Sequence, residues 1–383
     1  MKLLLGLAMC LTLAGCASVA PAQRPHHLLA DDLFVPPSQR IDANEVFALS
    51  DAMRNFAARD MASLLRIRGA QQGLVDALYK KGLLRLEYDS ALTRNAAQAF
   101  DARAGNCLSL VIMTAAFAKH LGLPVRYQNV LVEPTWSRDG DLYFASSHVN
   151  MSLAKRPADH RVGFDASHLL TIDFLPPEDV RGHRTLDISE ATVIAMYMNN
   201  RAAESLARGR LDDAYWWARE AMSQAPDYLR SVNTLAVTYM RHGNLPEAQR
   251  ALEHVLEREP RNAQSLSNLQ LVLLAQGRAP DAARVAGLLA QVEAYPPFHF
   301  YDLGRAALQA GDLQRASDWF AREIERDAYQ HEFHFWRAVA LYGLGQSEAA
   351  ARHMALAREY SPTPLLSERY AAKLERLRGA RVE

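Results

Sequence analysis

Cysteine is nearly missing: three stand in 383 residues, two of them within the first sixteen. Small secreted scaffolds stapled by disulfides need a dense, even set, so that architecture is excluded, although a reactive thiol is not. An excess charge of one sign is also absent. Lysine plus arginine and aspartate plus glutamate both total 43, which leaves no basic footprint and argues against a nucleic-acid partner. No run is long enough for a spanning helix with flanks. The apolar opening MKLLLGLAMCLTLAGCASVA has the proportions of an export signal instead. What remains is ordinary globular composition, 49% hydrophobic, in a chain long enough for two domains and a tail.

Within that opening, Leu13, Ala14, Gly15 and Cys16 resemble the lipobox of bacterial lipoproteins. The resemblance implies a signal peptide over residues 1–15, cleavage before Cys16, and acylation of the Cys16 thiol and its new amino group. Ala17, rather than an aspartate, follows the acylated position. In that family this points to the outer membrane, with the chain facing the periplasm. Residues 16–40 are rich in proline and small residues and read as a lipidated linker, with His26 and His27 binding nothing. With Cys10 removed and Cys16 acylated, Cys107 has no partner in an oxidising compartment.

The carboxyl-terminal half is periodic. Gly209, Gly243, Gly277, Gly311 and Gly345 recur every 34 residues, and Ala214, Ala248, Ala282, Ala316 and Ala350 follow them in step. Pro226, Pro260 and Pro362 keep the frame near repeat ends, where the weaker repeats carry Ala294 and Ala328. Glycine at a tight turn and alanine at a close approach describe stacked helix pairs. The pattern resembles the tetratricopeptide repeat: an all-α solenoid of five units over residues 195–362, with Ala236, Tyr239, Leu303, Gly304 and Phe320 on the interhelical face. Residues 363–383 read as a capping helix. The aromatic run Tyr215, Trp216 and Trp217 reads as packing between repeat helices, or as a grip on a peptide where a tryptophan is exposed. Such arrays imply a bound peptide or protein.

Residues 41–190 read as an α+β domain. DANEVFALSDAMRNFAARDMASLL has apolar positions at helical spacing behind Asp42 as a cap. The helix CLSLVIMTAAFAKHLG ends at Gly122 and Pro124. Strand-like stretches follow in VRYQNVLVEP, YFASSHVNMSL and part of RVGFDASHLLTIDF. Cys107 opens that helix, where unpaired N–H groups and the helix dipole favour a thiolate and suit a developing oxyanion. Alternation puts His148, Asn150 and Ser152 on one strand face and Val149, Met151 and Leu153 on the other. Asp165 and Asp173 follow as acids that would orient the histidine. The competing readings are a small core residue for Cys107 and an ordinary strand residue for His148. Ser109 and Ser147 lack a nucleophile elbow, and no zinc-ligand spacing joins Cys107 to the histidines. His160, His168 and His183 read as surface residues.

Gly105-Asn106-Cys107 at a helix start, then LGLPVR, SHVN and IDFLP, resemble the transglutaminase-like branch of the papain-like cysteine superfamily over about residues 90–180. The resemblance implies a Cys–His–Asp triad of Cys107, His148 and either Asp173 or Asp165, with Asp173 preferred for its apolar strand context. Val149 and Asn150 stand where that family carries an aromatic residue. Neither a cofactor nor a metal is implied. The expected function is thiol-dependent hydrolysis, or transfer, of an amide in a peptide or protein presented by the repeats. The alternative is an inactive scaffold that mediates protein–protein interaction through them.

Overall fold

The computed structural model describes residues 25–79, 84, 86–89, 92–139, 142–154, 169–174, 184–293, 295–361 and 363–379. Helices α1 (Asp51–Arg59), α2 (Ala62–Arg68) and α3 (Ala70–Tyr79) lead to strand β1 (Glu87–Tyr88), α4 (Ala96–Ala102), β2 (Ala104–Gly105) and α5 (Cys107–His120). Ser50 caps α1 by accepting the Met53 N–H, whereas Asp42, the expected cap, closes only a single 3-10 turn at Ala43–Glu45. Strands β3 (Val125–Asp139), β4 (Leu142–Leu153), β5 (Leu170–Ile172) and β6 (Thr185–Ile188) form an antiparallel sheet in the order β5-β4-β3-β6. β6 is not legible from the sequence, because three of its four residues are exposed and no alternation marks it.

The α+β core forms around α5. Residues Leu108 through Ala118 are all buried, as a helix without a polar face requires. The apolar face of β4, made of Val149, Met151 and Leu153, belongs to the same core. The helix stops where expected: Gly122 takes a left-handed φ of +69° ahead of Pro124.

Five helix pairs follow: α6 (Glu190–Ala207) with α7 (Leu211–Gln224), α8 (Leu229–His242) with α9 (Leu245–Arg258), α10 (Ala263–Ala275) with α11 (Ala279–Val292), α12 (His299–Gln309) with α13 (Leu313–Arg326), and α14 (His331–Gly343) with α15 (Ser347–Glu359). Helix α16 (Pro364–Gly379) packs Tyr370 and Leu374 on the last pair. The five periodic glycines all turn at φ between +70° and +91°. A Cβ there would meet nothing within 4 Å, so backbone conformation rather than space demands glycine. The five periodic alanines are buried between paired helices. At Gly304 space is the demand: a Cβ would sit 2.7 Å from the Phe320 ring. Leu303, expected on that face, is exposed instead, because a neighbouring helical position points about 100° away.

Residues 25–40, expected as part of a free linker, are not a tether. Leu28 and Phe34 are buried in the core, and the segment lies along α7, α8 and α9. The Tyr239 hydroxyl donates to the Leu28 carbonyl at 2.8 Å, and the Ala30 N–H donates to the Tyr215 hydroxyl at 3.0 Å. Asp213 accepts both the N–H and the hydroxyl of Ser38 at 2.7 Å. Apolar side chains and partnered main-chain groups overcome the tendency of a proline-rich stretch to stay solvated. Of the aromatic run, Tyr215 and Trp217 are buried, while Trp216 donates to the Val35 carbonyl at 2.6 Å.

Nor does a linker separate the two halves. One buried cluster runs from Leu28 through α5 and the sheet to Ala282 in α11. Glu190, at the start of α6, accepts from Lys119 at 2.6 Å and from the Tyr127 hydroxyl at 2.9 Å. Among the described residues no helix is long and apolar enough to cross a membrane.

Candidate active site

The loop before α5 is built to present one side chain. Helix α4 ends at Arg103 in a left-handed conformation, φ 50°, and β2 then pairs in parallel with β1. Gly105 must lack a side chain, because a Cβ would lie 2.7 Å from Cβ of Ser109. Asn106 caps α5: its Oδ1 accepts the Ser109 N–H at 2.9 Å and the Ser109 hydroxyl at 2.8 Å. Its Nδ2 donates to Thr93 Oγ1 at 3.0 Å. Cys107 therefore sits at the first helical position, half-buried and unbridged. The N–H groups of Cys107 and Leu108 have no acceptor within the helix.

Strand register supplies the rest. β4 pairs with β5 so that Met151 faces Ile172, which sets the next residues, Asn150 and Asp173, beside each other. Asn150 Nδ2 donates to Asp173 Oδ2 at 2.8 Å, and His148 Nε2 meets Asp173 Oδ1 at 2.6 Å. Phe174 packs its ring against Tyr79 and so fixes the end of β5. His148 is 5% exposed. Burial works against its positive charge, but hydrogen bonds and charge from Asp173 and Cys107 prevail and hold it up to about 9. With Nε2 engaged by Asp173, Nδ1 is the ring nitrogen left for the Cys107 thiol. Cys107, His148 and Asp173 are thus brought together across 66 residues of sequence. Cys16, His160, Asp165, His168 and His183 lie outside the described residues.

Sequence reasoning missed part of the support. Asn150 was on the right strand face, two residues from His148, and this spacing was the available signal for a role beside Asp173. The brace on the Asn106 loop had no signal, because it comes from α6. Glu204 Oε1 accepts the Thr93 N–H at 2.6 Å, Asn200 Nδ2 donates to Thr93 Oγ1 at 3.2 Å, and Arg201 donates to the Thr93 carbonyl at 3.4 Å. Burial pushes the Glu204 carboxyl up, against the Thr93 N–H and Arg201. The first repeat helix thereby holds the loop that caps the thiol helix.

Models of the tetratricopeptide repeat match residues 205–271 and 301–363. The carboxyl-terminal half is a tetratricopeptide array. Three solved structures illustrate the likeness. TTC0263, a thermophilic TPR protein of Thermus thermophilus, is 20% identical, over 47% of this chain and 98% of its own, with a TM-score of 0.29. PilF of Pseudomonas aeruginosa is 22% identical, over 50% of this chain and 86% of its own, with a TM-score of 0.30. YrrB, a TPR protein with an unusual peptide-binding site, is 17% identical, over 46% of this chain and 92% of its own, with a TM-score of 0.25. No curated protein matches the chain.

Proposed function

We propose that this chain is an interaction scaffold whose tetratricopeptide array docks a peptide or protein. The supporting observation is the five-pair array itself, an architecture whose stacked repeats present extended surfaces to partners. Photo-crosslinkers placed along α6–α15 of the full chain test it. One partner recovered reproducibly from neighbouring positions is the expected result, and scattered, irreproducible adducts would overturn it.

A second reading adds chemistry, and one geometry favours it: His148 lies between Asp173, at 2.6 Å, and the Cys107 thiol at the start of α5. In a transglutaminase-like site of this kind the Cys107 sulfur attacks an amide carbonyl carbon. The oxyanion forms against the Cys107 and Leu108 N–H groups, and His148 hands its proton to the departing amine. Water then attacks the thioester, giving its proton back through His148 and releasing a carboxylic acid and the thiol. Iodoacetamide alkylation between about pH 5 and 9 is the test. Reaction that persists well below about 8.5 and is lost in His148→Ala supports chemistry; ordinary thiol behaviour, indifferent to His148, leaves the scaffold alone.

The location is part of the same proposal. The Leu13-Ala14-Gly15-Cys16 stretch supports acylation of Cys16, and Ala17 after it supports tethering to the bacterial outer membrane, facing the periplasm. Incorporation of labelled palmitate, abolished by Cys16→Ser, is the expected result.

A further inference from the structure

Residues 28–38 are held the way a receptor holds a peptide. Their main chain is caught at several points by side chains of the array: the Leu28 carbonyl by Tyr239, the Ala30 N–H by Tyr215, the Val35 N–H by Asp212 at 3.0 Å, and the Val35 carbonyl by Trp216. Main-chain bonds of this kind are indifferent to side-chain identity, and side-chain sockets then select among sequences. The two socketed side chains face the array together because Asp31–Leu33 closes a 3-10 turn, with the Phe34 N–H donating to the Asp31 carbonyl at 3.4 Å. There are two principal sockets. Arg219 grips the Asp31 carboxylate through two bonds, at 2.8 and 3.0 Å, and the Tyr215 hydroxyl donates to it at 2.5 Å. Three residues later, the Phe34 ring stacks on Tyr215 at 4.0 Å and leans on His242 at 4.5 Å.

The residues that make these sockets are foreign to the repeat. One period further on, Tyr215, Trp216, Arg219 and His242 are replaced by Gln249, Arg250, Glu253 and Gln276. The next helix pair stacks without them, and the polar tips of Tyr215, Trp216 and Arg219 point at the bound segment.

We propose that the face formed by α7, α8 and α9 is a peptide-binding site for segments that close a single 3-10 turn, with an aspartate opening the turn and a phenylalanine three residues later. Residues 28–38 are its built-in occupant, and a partner protein presenting the same pair displaces them. This assigns a partner class to the scaffold reading and rests on it. The thiol site is not involved.

The test uses the full chain and a fluorescein-labelled peptide, PHHLLADDLFVPPSQR, copied from residues 25–40. A tethered occupant competes at an effective concentration of about a millimolar. The peptide should therefore bind an Asp31→Ala, Phe34→Ala chain at least about tenfold more tightly than the unaltered chain, and adding Arg219→Ala should remove that gain. Equal affinity for the unaltered and double-variant chains would overturn the proposal. Amide exchange on the unaltered chain covers the case in which the variants do not fold. The Ala30, Val35 and Ser38 amides should open at least about tenfold more often than the core amides of α8, and equal protection would overturn the proposal. Failure here would leave docking elsewhere on the array intact, because the crosslinking test reads the other repeats.

Discussion

The repeat half and the α+β half use opposite strategies. In the repeats the periodic positions take their roles from neighbours within one 34-residue period: a glycine turns at positive φ, and an alanine five residues later is buried between the two helices. In the α+β half the important contacts are long-range. His148 meets Asp173 from 25 residues away, and Thr93 is held by Glu204 from 111 residues away. Local rules build a regular platform, whereas a reactive cluster needs groups that no local rule brings together. The two strategies meet at α6, which is both the first repeat helix and the brace behind the thiol loop.

The largest effect should come from the long-range cluster. Removing the imidazole in His148→Ala should slow Cys107 alkylation at neutral pH by at least about a hundredfold in a chain that still shows the helical circular dichroism of the array; an unaltered rate would break the contrast. Next, Glu204→Ala removes a buried acceptor and strands the Thr93 N–H, at a cost of about 1–3 kcal/mol in chemical denaturation. Because Thr93 holds Asn106, the same change in a repeat helix should also alter the alkylation rate of Cys107. A rate that stays constant would show the halves to be separate after all.

The pH dependence of stability sharpens the same division. The folded protein holds the His148 proton up to about 9, above the ordinary histidine value near 6.5. The folded state therefore binds the extra proton, and its stabilisation is complete below about 6.5 and lost as pH rises toward about 9. The unfolding free energy should fall across that window, by an amount on the order of 3 kcal/mol, and the fall should shrink in Asp173→Asn. The smallest test lies within the array. Gly277 and Gly287 both have open space where a Cβ would go, but only Gly277 has positive φ, +74°. Gly277→Ala should cost about 1 kcal/mol, and Gly287→Ala, inside exposed helix α11, should gain about half that. Effects of the same sign would mean that the repeat glycines are not conformational.

Much of this protein could be read before any coordinates. The 34-residue period determined the helix pairs and their turns, because a helix hairpin is specified by residues close in sequence. The apolar run that opens at Cys107 marked a helix, and Gly105-Asn106-Cys107 marked its start; the Asn106 cap came only with the structure. Strict alternation sorted His148 and Asn150 from Val149 and Met151. The sequence also narrowed the acid to two aspartates, and the pairing of β4 with β5 brought Asp173 to His148.

Tertiary structure alone decided what depends on distant partners. The segment around Leu28 and Phe34 has the composition of a linker, and only the face of α7–α9 turns it into buried structure. Leu303 reads as interhelical until its neighbour Gly304 takes that place against Phe320. A boundary near residue 190 looks natural in sequence, yet Glu190, Asn200, Arg201 and Glu204 tie the array to the α+β core. The physical reason is common to all three. Periodicity and capping are encoded over a few residues, whereas burial and long-range hydrogen bonds depend on which surfaces meet once the chain has folded.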